Sequence, residues 1–175
     1  MKKTIVNTDK QDKIAFDAVN ELLAYDPEKG IFTWKVNRGG RAKAGTEAGA
    51  VMSNGYIAIR VNNTLYYAHR LAWFMIYGEW PSKHIDHIDN NPDNNQIANL
   101  REATQSENMQ NRKTYSNNKS GFKGVSFHDP SAKFRAQIRI DGKNTFIGSY
   151  PTAELAHKAY VEAANKHFGE FARAA

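Results

Sequence analysis

The last third of the chain carries the pattern that most restricts its fold. Three stretches rich in β-branched and aromatic residues, FKGVSFH, KFRAQIRI and NTFIGSY, are separated by Asp-Pro and Asp-Gly turn signals. In residues 133–140 polar and apolar side chains alternate, which predicts a strand with one apolar face. Residues 152–166 then form an amphipathic helical pattern that begins at a capping Thr152. We therefore expect a three-stranded antiparallel sheet packed on one helix.

The other face of this predicted sheet is basic. Alternation places four polar side chains of the second strand on it: Lys133, Arg135, Gln137 and Arg139. Phe146 and Asn144 share one face of the third strand. Arg and Gln side chains read base edges in the major groove, whereas Lys binds phosphate. A charged sheet face that only meets water fits the same pattern, so the residues alone leave both interpretations open.

The charge of the chain is unevenly distributed along the sequence. Lys and Arg number 24 against 18 Asp and Glu, which gives a net charge of +6. Most of this excess lies in residues 101–143, as expected for a contact with a nucleic acid. The chain has no cysteine. Its composition therefore excludes disulfides, thiolate zinc sites, iron–sulfur clusters and a cysteine nucleophile.

The N-terminal part reads as mixed α and β structure. The sequence predicts a helix over 12–25, short strands over 31–67 and a buried helix over 68–77. A polar, turn-rich stretch predicts a linker, so we expect domains at 1–113 and 121–170 joined by 114–120. No apolar run is long enough to cross a membrane, and the charged start does not resemble a signal peptide.

Between these parts lies a segment, residues 84–95, that is dominated by His, Asp and Asn. Hydrolysis of a phosphodiester needs a base that activates water and a cation that offsets the developing charge. A neutral imidazole serves as the base near pH 7, and carboxylate and amide oxygens suit Mg²⁺ or Mn²⁺. Asp86 and His87 supply a ligand and a base side by side. Segments rich in Asn and Asp are, however, also typical of plain turns.

The spacing of these residues resembles the HNH endonuclease family, in particular its phage and intron-encoded homing enzymes. The resemblance rests on Asp86-His87, Asn99 and Asn108, framed upstream by AHRL at 68–71. It implies a ββα-metal fold in which His87 is the general base and Asn99 holds the loop and orients His87. It also implies that Asp86 and Asn108 bind one divalent ion, Mg²⁺ or Mn²⁺.

Two further histidines stand near this motif. His84 lies three residues before His87, which places the two side chains on opposite sides of a strand, and we interpret His84 as a bystander. His69 precedes an apolar helix and is interpreted as structural or as lying near the phosphate. For Arg70 and Arg101, a phosphate contact and an ordinary ion pair both remain open.

Residues 119–170 resemble the AP2/ERF DNA-binding domain, in which a three-stranded sheet lies in the major groove. The matched stretches include SGFKGV, FIGSY and TAELAHKAY. Together with Arg135 of the basic strand, the resemblance gives these candidate DNA-binding residues: Lys123, Ser126, His128, Lys133, Gln137, Arg139 and Phe146. That family often has Arg where this chain has Ser126, His128 and Asn144, so the target sequence stays open.

Taken together, the sequence predicts an α+β protein with two parts. A β-rich N-terminal region would carry the HNH nuclease site, and an AP2-like module would direct it to double-stranded DNA. We expect a monomeric, metal-dependent endonuclease of the homing type that works inside the host cell, in its cytoplasm, without membrane contact. The main alternative is a DNA-binding regulator with a degenerate HNH site. A third is a module that binds or cleaves RNA, because basic surfaces attract both polymers.

Overall fold

The computed structural model describes residues 14–40, 42–111, 118–140 and 142–172. The chain divides into two compact units, Met1–Glu102 and Ala103–Ala175, which are described separately. The sequence instead suggests a division at 114–120. Residues 114–117 of that segment lie outside the described residues, and the linker stays a prediction.

The first unit opens with a short helix followed by a hairpin. Helix α1 spans Phe16–Leu22, and the strands β1 and β2 span Leu23–Asp26 and Ile31–Trp34. The predicted helix over 12–25 is therefore wrong at its C-terminal end. Leu23 is buried and lies opposite the buried Trp34 across the hairpin. This tertiary pairing overrides the helical pattern of the isolated segment. Residues 12 and 13 lie outside the described residues.

A three-stranded antiparallel sheet and a buried helix complete the core of this unit. The strands are β3 at Ala50–Val51, β4 at Ile57–Val61 and β5 at Thr64–Tyr67, in the order β3-β4-β5. Asn62 and Asn63 both have positive φ in the tight turn between β4 and β5. Helix α2 spans Ala68–Tyr77, the range that the sequence predicts.

Two further strands frame the His-Asp-Asn segment. Strand β6 spans His84–His87, β7 spans Leu100–Ala103, and the two form one small sheet. Ile85 and Leu100 belong to the same buried cluster as the residues of α2 and β4. The hydrophobic core thus anchors both strands, and it holds Asp86 and His87 at a defined place on the unit.

The second unit begins with a capped helix. Helix α3 spans Gln105–Asn111. The Thr104 hydroxyl accepts a hydrogen bond from the Glu107 amide at 3.2 Å, and a Glu107 carboxylate oxygen accepts one from the Thr104 amide at 2.7 Å. This is the reciprocal capping box that the sequence predicts.

The rest of the second unit is a sheet with a helix on one face. The strands are β8 at Val125–His128, β9 at Lys133–Ile140 and β10 at Lys143–Tyr150; the sheet is antiparallel in the order β10-β9-β8. Helix α4 spans Ala153–Phe168, and the Thr152 hydroxyl caps it. Val125, Ala136, Ile138 and four residues of α4 form the buried cluster between sheet and helix. Among the described residues, no helix is long and apolar enough to cross a membrane.

Candidate active site

His87 ends strand β6 and is the centre of the candidate site. Its side chain is buried, with a relative exposure of 4% for the residue. Burial lowers the pKa of its imidazole below the ordinary value of 6.5, and this effect outweighs the opposite effects of Asn95 and of nearby carboxylates. The imidazole is therefore neutral near pH 7, which is the form that accepts a proton.

Asn95 fixes the tautomer of this imidazole. Its side-chain nitrogen donates to the backbone carbonyl of Asp93 at 3.1 Å, and its Oδ1 lies 3.2 Å from His87 Nε2. Because an amide oxygen only accepts hydrogen bonds, neutral His87 carries its proton on Nε2. The lone pair of the ring is then on Nδ1. Asn95 is 1% exposed. The sequence does not single it out, because nothing ranks one Asn of an Asn-rich loop above the others.

Asn99 holds the loop between β6 and β7 closed. Its side-chain nitrogen donates to Asp89 Oδ1 and to the backbone carbonyl of Asn94, both at 2.9 Å. Its Oδ1 accepts from the backbone amide of Asp89 at 3.1 Å. Asn99 therefore joins the two ends of the loop that contains Asn95, whereas it is the Oδ1 of Asn95 that accepts a hydrogen bond from His87 Nε2.

Asp86 precedes His87 and forms a buried ion pair. The Nε and Nη2 atoms of Arg101 lie 3.0 and 2.9 Å from Asp86 Oδ2. Both side chains are shielded from water, with exposures of 13% for Arg101 and 5% for Asp86. Of the two roles that the sequence leaves open for Arg101, the structure shows the ion pair. The two contacts on one oxygen fix the orientation of the Asp86 carboxylate.

An aromatic cluster lies behind His87. The ring of His69, on the first turn of α2, meets the His87 ring edge to face at 5.2 Å between centroids. Tyr67 stacks on His69 at 5.3 Å, and Tyr56 lies 5.3 Å from His69 and 5.7 Å from His87. The N-terminal β-rich region therefore supplies the wall against which the His87 ring rests.

His69 makes the stability of the first unit sensitive to acid. Its Nδ1 is buried without a hydrogen-bond partner among the described residues, and burial lowers its pKa well below 6.5. The unfolded chain therefore binds a proton at this site that the folded chain does not, so stability falls as pH drops below 6.5. We expect the urea midpoint to decrease between about pH 7.5 and about pH 5.5, and to decrease less in His69→Phe. Equal decreases in both proteins would contradict this assignment.

The other predicted site residues lie as follows. His84 is exposed at the start of β6, in agreement with its interpretation as a bystander. Asn108 lies on α3, in the second unit, and is half-buried. Among the described residues there is no cluster of three or more His, Asp or Glu side chains suited to a metal ion.

The second unit carries a basic face on the side of its sheet opposite α4. Residues directly opposite in an antiparallel sheet point to the same side, and the register gives these pairs: Ser126 with Arg135, His128 with Lys133, Gln137 with Phe146, and Arg139 with Asn144. We call these eight residues the basic face. Phe146 is 56% exposed on it. Lys123 precedes β8, and its Nζ donates to the backbone carbonyl of Gln110 on α3.

Comparisons with known proteins match the segment that contains the candidate site. A family model described as HNH endonuclease matches residues 66–110, which contain Asp86, His87, Asn99 and Asn108. Protein 3.8 of Escherichia phage T7 is 36% identical over 106 residues, which cover 60% of this chain and 87% of the phage protein. The chain carries an HNH endonuclease domain at residues 66–110.

A second relative of the chain is viral as well. It is the uncharacterized HNH endonuclease L560 of Acanthamoeba polyphaga mimivirus, 38% identical over 106 residues. The alignment covers 59% of this chain and 54% of the mimivirus protein. No solved structure matches the chain. The HNH endonuclease domain points to a nuclease.

Proposed function

We propose that the protein is a metal-dependent endonuclease that hydrolyses phosphodiester bonds of double-stranded DNA. The observation that carries this proposal is the state of His87. It is buried and neutral, and Asn95 holds its Nε2 proton so that Nδ1 offers the lone pair. A general base needs both the neutral form and a fixed orientation. The HNH endonuclease domain at residues 66–110 supports the reaction class.

In the proposed reaction, Nδ1 of His87 accepts a proton from the attacking water. The resulting hydroxide forms a new bond to phosphorus in line with the bond that breaks to the leaving 3′ oxygen. The leaving 3′ oxygen takes up a proton from solvent water, which gives a 5′-phosphate and a 3′-hydroxyl, and His87 returns its own proton to solvent. The hydrogen bond between Nε2 and Asn95 also stabilises the positively charged ring that forms during this step.

Asp86 and Asn108 are the residues that we propose as ligands of a divalent ion, Mg²⁺ or Mn²⁺. A carboxylate and an amide oxygen are hard donors, which suits these ions. The carboxylate of Asp86 is held in one orientation by Arg101, as a ligand needs to be. Such an ion, when bound, offsets the negative charge that develops on the phosphoryl and leaving oxygens.

We also propose that the second unit directs the nuclease to DNA in the manner of an AP2/ERF domain. The support is the basic face, which combines Arg, Lys and Gln side chains with the exposed Phe146 on a sheet backed by a helix. These are the side chains that contact phosphates, base edges and the methyl group of thymine. Lys123 is included in this proposal because the resemblance to the AP2/ERF family implies that it contacts DNA.

Removal of the basic face tests this targeting role. The combined variant Arg135→Ala, Gln137→Ala and Arg139→Ala should bind DNA more weakly and lose its site preference. The slope of the logarithm of its binding constant against the logarithm of the salt concentration should be smaller in magnitude by about two, because two cationic side chains are removed. The measurement is the dissociation constant at several salt concentrations. Lys158→Ala with Lys166→Ala removes the same charge from exposed positions of α4 and is the matched control. Site preference retained in the combined variant would place recognition elsewhere.

Incubation of the full-length protein with supercoiled plasmid and with DNA from its source locus tests the nuclease function. We expect nicked or linear products with Mg²⁺ or Mn²⁺, and none after addition of EDTA. Binding without any cleavage would instead support a regulator with a degenerate HNH site. Stronger competition by RNA than by duplex DNA at matched salt would favour an RNA substrate. Mapping the ends of the cleaved DNA at the source locus also tests the proposed homing role inside the host cell. Analytical sedimentation of the full-length protein tests the proposal that it is a monomer.

A further inference from the structure

The hairpin of β1 and β2 contacts the loop that carries Asn95, although it lies outside the residues matched by the family model. The Tyr25 hydroxyl donates to the backbone carbonyl of Asn95 at 2.6 Å, across 70 positions of sequence. The backbone amide of Ile97 donates to the carbonyl of Pro27 at 3.1 Å. Two hydrogen bonds therefore tie the hairpin to the residues on either side of Gln96.

The turn of this hairpin approaches the same loop backbone to backbone. Gly30 has a φ of +71°, and a Cβ added there would lie 2.4 Å from the Gln96 amide nitrogen and 2.5 Å from the Asn95 carbonyl carbon. No side chain fits at that distance. The hairpin thus limits the movement of the Asn95 backbone in two ways: by the close approach of Gly30 and by the hydrogen bond from the Tyr25 hydroxyl.

The position of Asn95 in turn decides how it meets His87. Asn95 is 1% exposed, and its Oδ1 reaches His87 Nε2 at 3.2 Å. A shift of the backbone by a fraction of this distance would lengthen the hydrogen bond beyond its useful range. Burial raises the pKa of Tyr25, so its hydroxyl stays protonated and remains the donor to Asn95.

We propose that the 23–34 hairpin is a positioning element for the general base and that Tyr25 is its principal positioning residue. The chain of contacts runs from the Tyr25 hydroxyl to the Asn95 backbone, and from the Asn95 side chain to the His87 ring. The catalytic part of this inference rests on the proposed nuclease function. The structural part, that Tyr25 controls the tautomer and orientation of His87, stands independently of it.

Tyr25→Phe tests the inference because it removes the hydroxyl and keeps the ring that stacks on Phe32 at 4.7 Å. We expect the cleavage rate at saturating DNA to fall about tenfold, as when other orienting groups are removed, with an unchanged dissociation constant. We also expect the ¹⁵N signals of the His87 ring to shift away from a pure Nε2–H tautomer. Tyr77→Phe, which removes a hydroxyl from an exposed residue of α2, should change neither.

A double-mutant cycle with Asn95→Ala establishes the route of the effect. If Tyr25 acts through Asn95, the double variant cleaves no more slowly than Asn95→Ala alone. The inference would be overturned if the loss of cleavage rate in the double variant equalled the product of the losses in the two single variants. Unchanged ¹⁵N signals of His87 in Tyr25→Phe would overturn it too, even if that variant melts at a lower temperature. Gly30→Ala perturbs Asn95 without touching the hydroxyl and serves as the second variant if Tyr25→Phe does not fold. If the wild-type protein cleaves nothing, the nuclease proposal fails, and the ¹⁵N spectra still decide the positioning role.

Discussion

His87→Ala should lower the rate of DNA cleavage by about 10²-fold to 10⁴-fold, which is the usual contribution of a general base. The variant removes the imidazole whose Nδ1, in the proposed reaction, accepts the proton of the attacking water while Asn95 binds Nε2. Because the imidazole is neutral near pH 7, its loss changes no charge, and the affinity for DNA should stay near that of the wild type. The measurement is a single-turnover cleavage rate together with a dissociation constant measured in EDTA.

His84→Ala is the matched control for this experiment, since it removes an exposed imidazole from the same strand. It should cleave DNA at the wild-type rate. A cleavage rate of His87→Ala within about tenfold of the wild type would show that another group activates the water. A parallel loss of DNA affinity or of the folded state in His87→Ala would show that this residue is structural.

Gly124→Ala should destabilise the second unit by about 2–5 kcal/mol, from overpacking and from a left-handed backbone conformation that disfavours Ala. A Cβ at this position would lie 2.1 Å from Tyr160 Cδ2, in the core beneath α4, and Gly124 has a φ of +73°. The Gly124 carbonyl also accepts the Gln137 amide at 2.8 Å, so the backbone has little room to move. Urea unfolding followed by far-UV circular dichroism measures the change.

Gly142→Ala separates the two contributions. Gly142 has a φ of +77°, but nothing lies within 4 Å of a Cβ placed there, so only the backbone cost of about 1–2 kcal/mol applies. The three tryptophans, Trp34, Trp73 and Trp80, all lie in the first unit. The tryptophan fluorescence transition should therefore remain near the wild-type one in Gly124→Ala. Equal unfolding free energies for the two variants would mean that the Tyr160 ring moves aside for the added Cβ without any loss of stability.

The local patterns of the sequence predict most elements of the second unit. Alternation in KFRAQIRI places Ala136 and Ile138 in the core and Gln137 and Arg139 outside, and the structure has the same arrangement. Thr152 and the Thr104–Glu107 box cap their helices as predicted. These features depend on period and on contacts between neighbours in sequence, which is why the sequence alone contains them.

The sequence is less informative where distant segments meet. It predicts a helix through Leu23, whereas pairing with Ile31–Trp34 turns residues 23–26 into a strand. The family resemblance implies that Asn99 holds the loop and orients His87. The structure shows Asn99 closing the loop, and it adds Asn95, which the sequence does not single out, at the His87 ring. A pattern of residue types records that an Asn is present, but not which amide reaches the imidazole.

Residue types and their spacing thus predicted the alternation of the basic face, and through the resemblance to HNH endonucleases they implied the reaction class and the candidate base His87. Tertiary structure alone decided that His87 is neutral, that its lone pair is on Nδ1 and that Arg101 holds Asp86. The physical reason is that burial and hydrogen-bond geometry depend on groups far apart in the chain. The Tyr25 hydroxyl and the Asn95 carbonyl, 70 residues apart, are the clearest case.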